Sequence, residues 1–229
     1  MNSGSDRFRA INIKDRSGSS VLHLASSNPL CLNTILNLLP LHERLEAIKI
    51  KNYAGDTVLD LIANHIDSFR ILLQTIPVTQ RATITRKKDK HGSNILHKFV
   101  NNPNALCDIL LLLPPAGRLA VIRDRNVDKN TTFHLAMTNP ESVRMILNLL
   151  SKEDCLIAIK DKNHNQQNVL QYSLINPVSH SLLMKLINEK TNRDDFTQTQ
   201  SFFQINNDVI RDPITILEGQ QVSINGHLI

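Results

Sequence analysis

Apolar residues in this chain cluster in short runs whose spacing is that of a broad helical face. The runs 35–39 and 146–150 each carry one Ile and three Leu residues, separated by one, three and four positions. Such spacing is typical of a helix that is buried between neighbours on both sides. The pattern therefore predicts an all-α fold in which leucine-rich helices supply most of the core.

Polar and proline residues mark the ends of two helices in each segment. Good N-cap residues precede a short first helix at Ser20, Thr57, Asn94, Thr131 and Asn168. In four of the five segments an Asn-Pro pair then ends that helix and starts the leucine-rich second one, because Asn can cap a helix and Pro fits its first position. These pairs are Asn28-Pro29, Asn102-Pro103, Asn139-Pro140 and Asn176-Pro177. The second segment has His65-Ile66 instead, with Asp67 as the candidate cap. A segment of at most one or two helical turns follows the second helix.

This arrangement recurs every 37 residues without insertion or deletion. The central position of the first helix is successively His23, Asp60, His97, His134 and Gln171. A fixed period of this length indicates stacked repeats, a solenoid, rather than one closed core. We predict five units at about residues 7–43, 44–80, 81–117, 118–154 and 155–193.

A turn precedes each first helix. It has Asp or Asn followed three residues later by Gly18, Gly55, Gly92, Lys129 or Gln166. Asx residues and glycine suit a tight turn with one positive φ angle. Because the last two units lack the glycine, we expect their turns to be looser or differently shaped.

The turn and first helix together resemble the ankyrin repeat, with the pattern D-x-x-G-x-[ST]-x-L-H-L-A. Asp15 to Ala25 and Asn126 to Ala136 match it best, and the resemblance covers about residues 7–190. The units are longer than the common ankyrin form, and Val, Ile or Thr replaces the usual proline before Leu-His. The recurring Leu-Leu-Pro and Arg-Leu-x-x-Ile segments look like those of ankyrin-type effectors that intracellular bacteria deliver into host cells.

Composition narrows the function. Aromatic residues make up 4% of the chain and Trp is absent, which disfavours sugar sites and single-stranded nucleic-acid platforms. A net charge of +5 is too small to argue for DNA. We interpret Cys31, Cys107 and Cys155 as reduced core thiols of a cytosolic protein, which would be the host cytosol if the chain is secreted as an effector. We expect a monomer that has no membrane-spanning segment or secretory signal.

Candidate chemistry is sparse. No nucleotide-binding, hydrolase or metalloprotease motif is present, and we predict no enzymatic activity, catalytic residue, metal or cofactor. The resemblance implies that the recurring histidine holds the turn through hydrogen bonds to the backbone. Its three copies fall in separate repeats, too far apart to share a metal ion.

The resemblance also implies a protein-binding surface at the turn tips and the exposed side of the first helix. The residues predicted at the tips, here called the tip row, are Arg16, Ser17, Tyr53, Asp56, Lys90, His91, Val127, Asp128, His164 and Asn165. Those on the helix side, the helix row, are Ser27, Asn64, Asn101, Thr138 and Ile175. They vary between units while the framework repeats. We therefore predict a non-enzymatic scaffold for protein–protein interaction, a bacterial effector that binds a host protein.

Basic residues recur just before the turns. This basic ladder comprises Lys14, Lys51, Lys88, Arg125 and Lys162, with a second set of cations two residues earlier. It predicts a basic strip, which is either a solvated edge partly neutralised by Asp15, Asp89, Asp124 and Asp161, or a site for an acidic protein partner or phosphate-bearing ligand.

Beyond residue 193 the period ends. Residues 214–224 read as two short strands around a Glu-Gly turn, so residues 194–229 are predicted to form a hairpin-like cap on the last repeat. An alternative interpretation rests on residues 207–214, which are similar to the Asp-Pro-Ile segment of U-box ubiquitin ligases. It would make the chain a ligase adaptor or a partial ligase acting through its tail.

Overall fold

The computed structural model describes residues 3–89 and 91–191. The chain divides into two compact units, Met1–Leu186 and Ile187–Ile229, and all but the last of the described helices lie wholly within the first. Helices account for most of the described residues, which contain no sheet, so the all-α prediction is confirmed for them. Isolated antiparallel bridges, such as that between Arg125 and Thr131, close turns. The predicted cap at 194–229 and the U-box-like segment lie outside the described residues.

The described residues contain fifteen α-helices, which after the first one follow in groups of three. They are α1 (Ser3–Ile11), α2 (Val21–Leu24), α3 (Pro29–Asn37), α4 (Leu41–Ala47), α5 (Val58–Ile62), α6 (Ile66–Thr75), α7 (Val78–Thr85), α8 (Ile95–Phe99), α9 (Pro103–Leu112), α10 (Pro115–Ile122), α11 (Thr132–Ala136), α12 (Pro140–Leu149), α13 (Lys152–Ile159), α14 (Val169–Tyr172) and α15 (Pro177–Thr191). Short 3₁₀ turns follow α2 and α14. From α2 onward, corresponding helices begin 37 residues apart.

Side-chain caps lie at four of the five positions predicted for the first helices, Thr57, Asn94, Thr131 and Asn168, whereas Ser20 accepts no cap hydrogen bond. Thr57 Oγ1 accepts the Asp60 N–H at 3.2 Å at the start of α5, and Thr131 accepts the His134 N–H at 3.3 Å at the start of α11. Asn28 and Asn102 cap α3 and α9, with Pro at the first helical position of each. Each cap satisfies an N–H that has no partner within its own helix.

Corresponding helices pack against one another from unit to unit. The second helices α3, α6, α9 and α12 form one series, and contacts also join α2 with α5, α8 with α11, α11 with α14, α7 with α10 and α10 with α13. Equivalent apolar positions fill the space between units; Leu32, Phe69, Leu106 and Val143 are buried almost completely. Burying one such side chain contributes about 1.5–3 kcal/mol. The buried apolar residues of successive units thus belong to one hydrophobic cluster.

The third helix has seven or eight residues in α4, α7, α10 and α13, about the two turns that the sequence indicates as the upper length. An arginine in each of α4, α7 and α10 links two units. Arg44 donates from Nε to the carbonyl of Leu39 at 2.9 Å and from Nη1 to the carbonyl of Thr75, in the next unit, at 3.0 Å. Arg118 joins Leu110 and Leu149 in the same way. These cations satisfy carbonyls at the ends of the second helices, where the helix dipole favours positive charge.

Candidate protein-binding face

In each of the five turns before the first helices an Asx side chain accepts the backbone N–H four residues later, and in three of them it also accepts the N–H two residues later. The side chain of Asp15 accepts the backbone N–H groups of Ser17 and Ser19 at 2.8 and 2.9 Å, and Asn126 does the same for Asp128 and Asn130 at 3.0 and 2.9 Å. The hydroxyl and N–H of Ser17, with the N–H of Ser19, lower the pKa of Asp15 below 3.8. This Asx geometry fixes the tip backbone while leaving its side chains free to vary.

The last two turns are not looser than the others, which corrects the expectation drawn from their missing glycine. Lys129 and Gln166 adopt φ angles of 57° and 60°, close to the 67° of Gly92 in the equivalent position. A side chain in this left-handed region costs energy relative to glycine. The neighbouring units and the Asx bonds impose the shape although the residue does not favour it.

Successive turns are joined by backbone hydrogen bonds. The N–H of Tyr53 donates to the carbonyl of Ser17 at 3.0 Å, that of Val127 to His91 at 3.1 Å, and that of His164 to Asp128 at 2.8 Å. Lys90 lies outside the described residues, and the other tip-row residues are mostly exposed. These bonds join the first turn to the second, the third to the fourth and the fourth to the fifth.

The helix row is also largely exposed. Its polar members are linked along the row: Thr138 donates from Oγ1 to Asn101 Oδ1 at 3.3 Å, and Lys98 Nζ contacts Asn64 Oδ1 at 3.3 Å. The tip row and the helix row thus belong to consecutive parts of each unit, since the first helix begins directly after the turn. Both present side chains that differ between units.

The recurring histidine connects each first helix to the following turn. In His134, Nδ1 accepts the Thr131 N–H at 3.3 Å, so the proton is on Nε2, which donates to the carbonyl of Gln167 at 3.1 Å. His97 makes the same bond to the carbonyl of Asn130 at 3.1 Å. Burial lowers the pKa of both rings below 6.5, which favours the neutral form. This geometry uses both ring nitrogens for structure.

Asp60 replaces the histidine in the second unit and changes the contact. Its carboxylate accepts the Thr57 N–H at 2.9 Å and pairs with Lys87 of the next unit at 3.0 Å. A cavity of about 20 Å³, room for one water molecule, lies beside Asp60, Lys87, Asp89 and Lys98. An ion pair therefore joins these two units, whereas a hydrogen bond from a histidine joins the units at other junctions.

All five residues of the basic ladder are exposed or partly exposed, but three of them bond to the next unit. Lys14 Nζ donates to the carbonyl of Lys51 at 2.9 Å, Lys88 Nζ donates to that of Arg125 at 2.8 Å, and Arg125 pairs with Asp161 at 3.2 Å. Within the described ranges, Lys51 and Lys162 have no ion pair or side-chain hydrogen bond. These two ammonium groups are the ones most available to a ligand.

Two cations of the second set, Arg86 and Arg123, hold buried carboxylates. Arg86 binds Asp124 through both carboxylate oxygens at 2.8–3.1 Å, and Arg123 binds Asp161 at 2.6 and 2.9 Å. Asp124 and Asp161 are 7% and 6% exposed. Hydrogen bonds to these carboxylates raise the pKa of Arg86 and Arg123. The basic strip is thus neutralised in part by pairs that join adjacent units, a role that the sequence shows only as a recurring charge.

The cysteines differ from the core thiols expected from the sequence. Cys155 is buried, and burial raises its pKa to about 12, but Cys107 is half-buried and Cys31 is exposed. Asn28 caps α3 through the Cys31 N–H, which places the Cys31 side chain on the first turn. Among the residues that the structure describes, His, Cys, Asp and Glu form no group of three that could hold a metal ion.

Comparisons with known proteins give a structural likeness only. No protein-family model matches the sequence, and no curated protein matches it. The fold is similar to a solved structure of a predatory endopeptidase from Bdellovibrio bacteriovorus in complex with an immunity protein. The TM-score is 0.51 at 17% identity, over 76% of this chain and 84% of the other.

This likeness contradicts the prediction that the chain has no enzymatic activity, because the similar structure is that of an endopeptidase complex. At this identity the likeness concerns the fold.

None of the described helices is long and apolar enough to cross a membrane.

Proposed function

We propose that residues 7–193 form a stack of ankyrin-like repeats that binds another protein through the tip row and the helix row. One observation carries the proposal. At equivalent, exposed positions the side chains change from unit to unit, while the Asx turns, caps and inter-unit bonds beneath them repeat. A rigid frame that presents variable residues lowers the cost of ordering an interface.

The charge of the face favours an acidic partner. Lys51 and Lys162 have no partner in the described ranges, and Arg16 and Lys129 add two exposed cations at the tips. Such a strip would speed association with an acidic surface and make binding sensitive to salt. A host-cell protein is the partner that the resemblance to bacterial effectors suggests, which would place the chain in the host cytosol.

The likeness to a complex of two proteins also supports a protein partner. The endopeptidase and the immunity protein belong to that structure. This chain shares the fold with that structure, so an experiment is needed to identify the partner of this chain.

Site-specific photocrosslinking tests the face. A photoreactive residue at Asp56 or Asn101 is expected to capture a partner from host-cell extract, whereas the same residue at Asp67, exposed on the second helix α6, is expected to capture much less. Capture of the same protein with equal yield from Asp67 would contradict the proposed face.

Charge reversal gives a second test. Lys51→Glu with Lys162→Glu should weaken binding of the captured partner and reduce its salt dependence, because these ammonium groups are not needed by the fold. Lys185→Glu, a cation on α15, is the matched control. Equal affinity of the double variant and the wild type at low salt would exclude a role for the ladder.

A further inference from the structure

Two large apolar side chains stand out in the tip row. Tyr53 is 74% exposed and Val127 is 64% exposed, although both are anchored through their backbone N–H groups to the preceding turn. They occupy the same position of the turn, in the second and fourth units. The proposed binding face thus presents apolar side chains at two separate positions. Any inference about the ligand that they bind rests on the proposed function.

Tyr53 is held in place before any partner arrives. Its ring lies against Gly18 so closely that a Cβ atom there would come within 2.6 Å of the ring. The ammonium group of Lys14 lies 5.7 Å from the ring centroid, within reach of a cation–π contact. The ring is therefore fixed on one side and open on the other, which reduces the entropy lost on binding.

The spacing of the two side chains suits an extended segment. The second helices α6, α9 and α12 of these units pack in series, so adjacent units are roughly 8–10 Å apart and the two tips roughly 16–20 Å apart. An extended chain advances about 3.3 Å per residue, so about five or six residues cover this distance. One segment lying along the tip row can reach both side chains.

Cations surround both points. Arg16, Lys14 and Lys51 lie in the first two turns with Tyr53, and Arg125 and Lys129 lie in the turn of Val127. Exposed carboxylates at Asp56 and Asp128 interrupt this charge. A phosphate backbone with a charge at every step would meet both carboxylates, whereas a peptide can place neutral residues opposite them.

We infer that the tip row binds an extended, acidic segment of the partner protein, which places one apolar side chain on Tyr53 and another, about five or six residues away, on Val127. Acidic residues around the two apolar side chains pair with Lys51 and the neighbouring cations. The first-helix side then contributes polar contacts that align the segment.

Selection from a displayed library of random twelve-residue peptides tests this inference. The bound peptides are expected to be rich in Asp and Glu and to share two apolar residues at the stated separation. Tyr53→Ala and Val127→Ala should each weaken a selected synthetic peptide about tenfold. Leu30→Ala changes a residue that is 75% exposed on α3 and is expected to leave affinity unchanged.

The outcomes separate the inference from the function on which it rests. Selected peptides that bind the tip row but lack acidic residues or the paired apolar residues overturn the inference and leave the binding face intact. Peptides that are insensitive to Tyr53→Ala, Val127→Ala and the Lys51→Glu, Lys162→Glu pair overturn both. Displacement of a selected peptide by a single-stranded oligothymidylate would identify nucleic acid as the occupant instead. Circular dichroism of each variant verifies that it is folded.

Discussion

His134 donates a hydrogen bond from Nε2 to the carbonyl oxygen of Gln167 at 3.1 Å and so joins two units across 33 residues of sequence. The ring is fully buried, and its other nitrogen accepts the N–H of the N-cap residue Thr131. One side chain thus supports the start of a helix and the following turn together.

His134→Ala should therefore destabilise the fold. It removes both bonds and leaves the Gln167 carbonyl and the Thr131 N–H without these partners, at a cost of about 1–3 kcal/mol. Urea denaturation followed by circular dichroism measures the free energy of unfolding. His164→Ala, at an exposed tip, should change it by less than about 0.5 kcal/mol. A wild-type denaturation curve for His134→Ala would contradict the structural role.

Acid should weaken the fold through the same residues. Burial lowers the pKa of His97 and His134, an effect that Lys88 and Arg125 reinforce, while the carbonyls of Asn130 and Gln167 and the carboxylates of Asp124 and Asp161 oppose it. The unfolded chain takes up these protons near pH 6.5, whereas the folded chain does so only at lower pH. The contribution of these two histidines to the free energy of unfolding is therefore complete above about pH 6.5. It decreases as the pH falls toward the pKa values of the folded chain.

A variant that tests this pH dependence replaces His97 and His134 with Gln. Glutamine occupies the equivalent position in the fifth unit as Gln171, where its side chain accepts the Asn168 N–H at 3.0 Å. Glutamine does not titrate. The slope of stability between about pH 7 and pH 5 should become shallower. An unchanged slope would show that other groups control the acid response.

The ion pair between Arg86 and Asp124 should contribute more to the free energy of unfolding than an exposed ion pair does. Arg86→Ala leaves a nearly buried carboxylate with the Asn94 amide as its remaining described partner, which should cost about 1.5–3 kcal/mol. Lys49 occupies the position of Arg86 one unit earlier, but its pair with Glu46 is exposed. Lys49→Ala should therefore cost less than about 1 kcal/mol. Equal losses in thermal denaturation would contradict this distinction.

The turns permit a comparison of backbone strain with packing. Gly55 has a φ angle of 85° and open space around it, so Gly55→Ala should cost about 1 kcal/mol from conformation alone. Gly18→Ala should cost more because the new Cβ displaces the ring of Tyr53. Lys129→Gly should stabilise the fold by roughly 0.5–1 kcal/mol, since it relieves a positive φ angle. Differential scanning calorimetry would rank the three, and a different order would argue against this account.

The Asp60–Lys87 contact should make one junction sensitive to salt. Its side chains are about one-third exposed, so the pair contributes at most about 1 kcal/mol and is screened at high ionic strength. The double change Asp60→His with Lys87→Ile reproduces His23 and Ile50, the residues at these positions one junction earlier. Hydrogen exchange in α5 and α8 should increase with NaCl in the wild type and less so in this variant. An equal increase in both would exclude the ion pair as the cause.

Much of the local structure could be predicted because its causes are local. The N-caps at Thr57 and Thr131 and the Asn-Pro start of α3 depend on residues within three or four positions of one another. The third helix was also expected, as one or two turns after the second helix, and α4 and α10 each have about two turns. At Arg118 the sequence shows a recurring cation, but only the fold reveals that it spans the carbonyls of Leu110 and Leu149.

The sequence by itself determined the period, the helical class and the positions at which side chains vary, because spacing and caps act along the chain. Tertiary structure alone decided how the units are joined. Lys129 and Gln166 adopt a glycine-like φ angle because the surrounding turn imposes it. The ladder cations Lys14 and Lys88 bond to the next unit rather than remaining free, because stacking brings a carbonyl within about 3 Å of each. Such contacts connect residues about one repeat apart, a distance that becomes short only when the units pack.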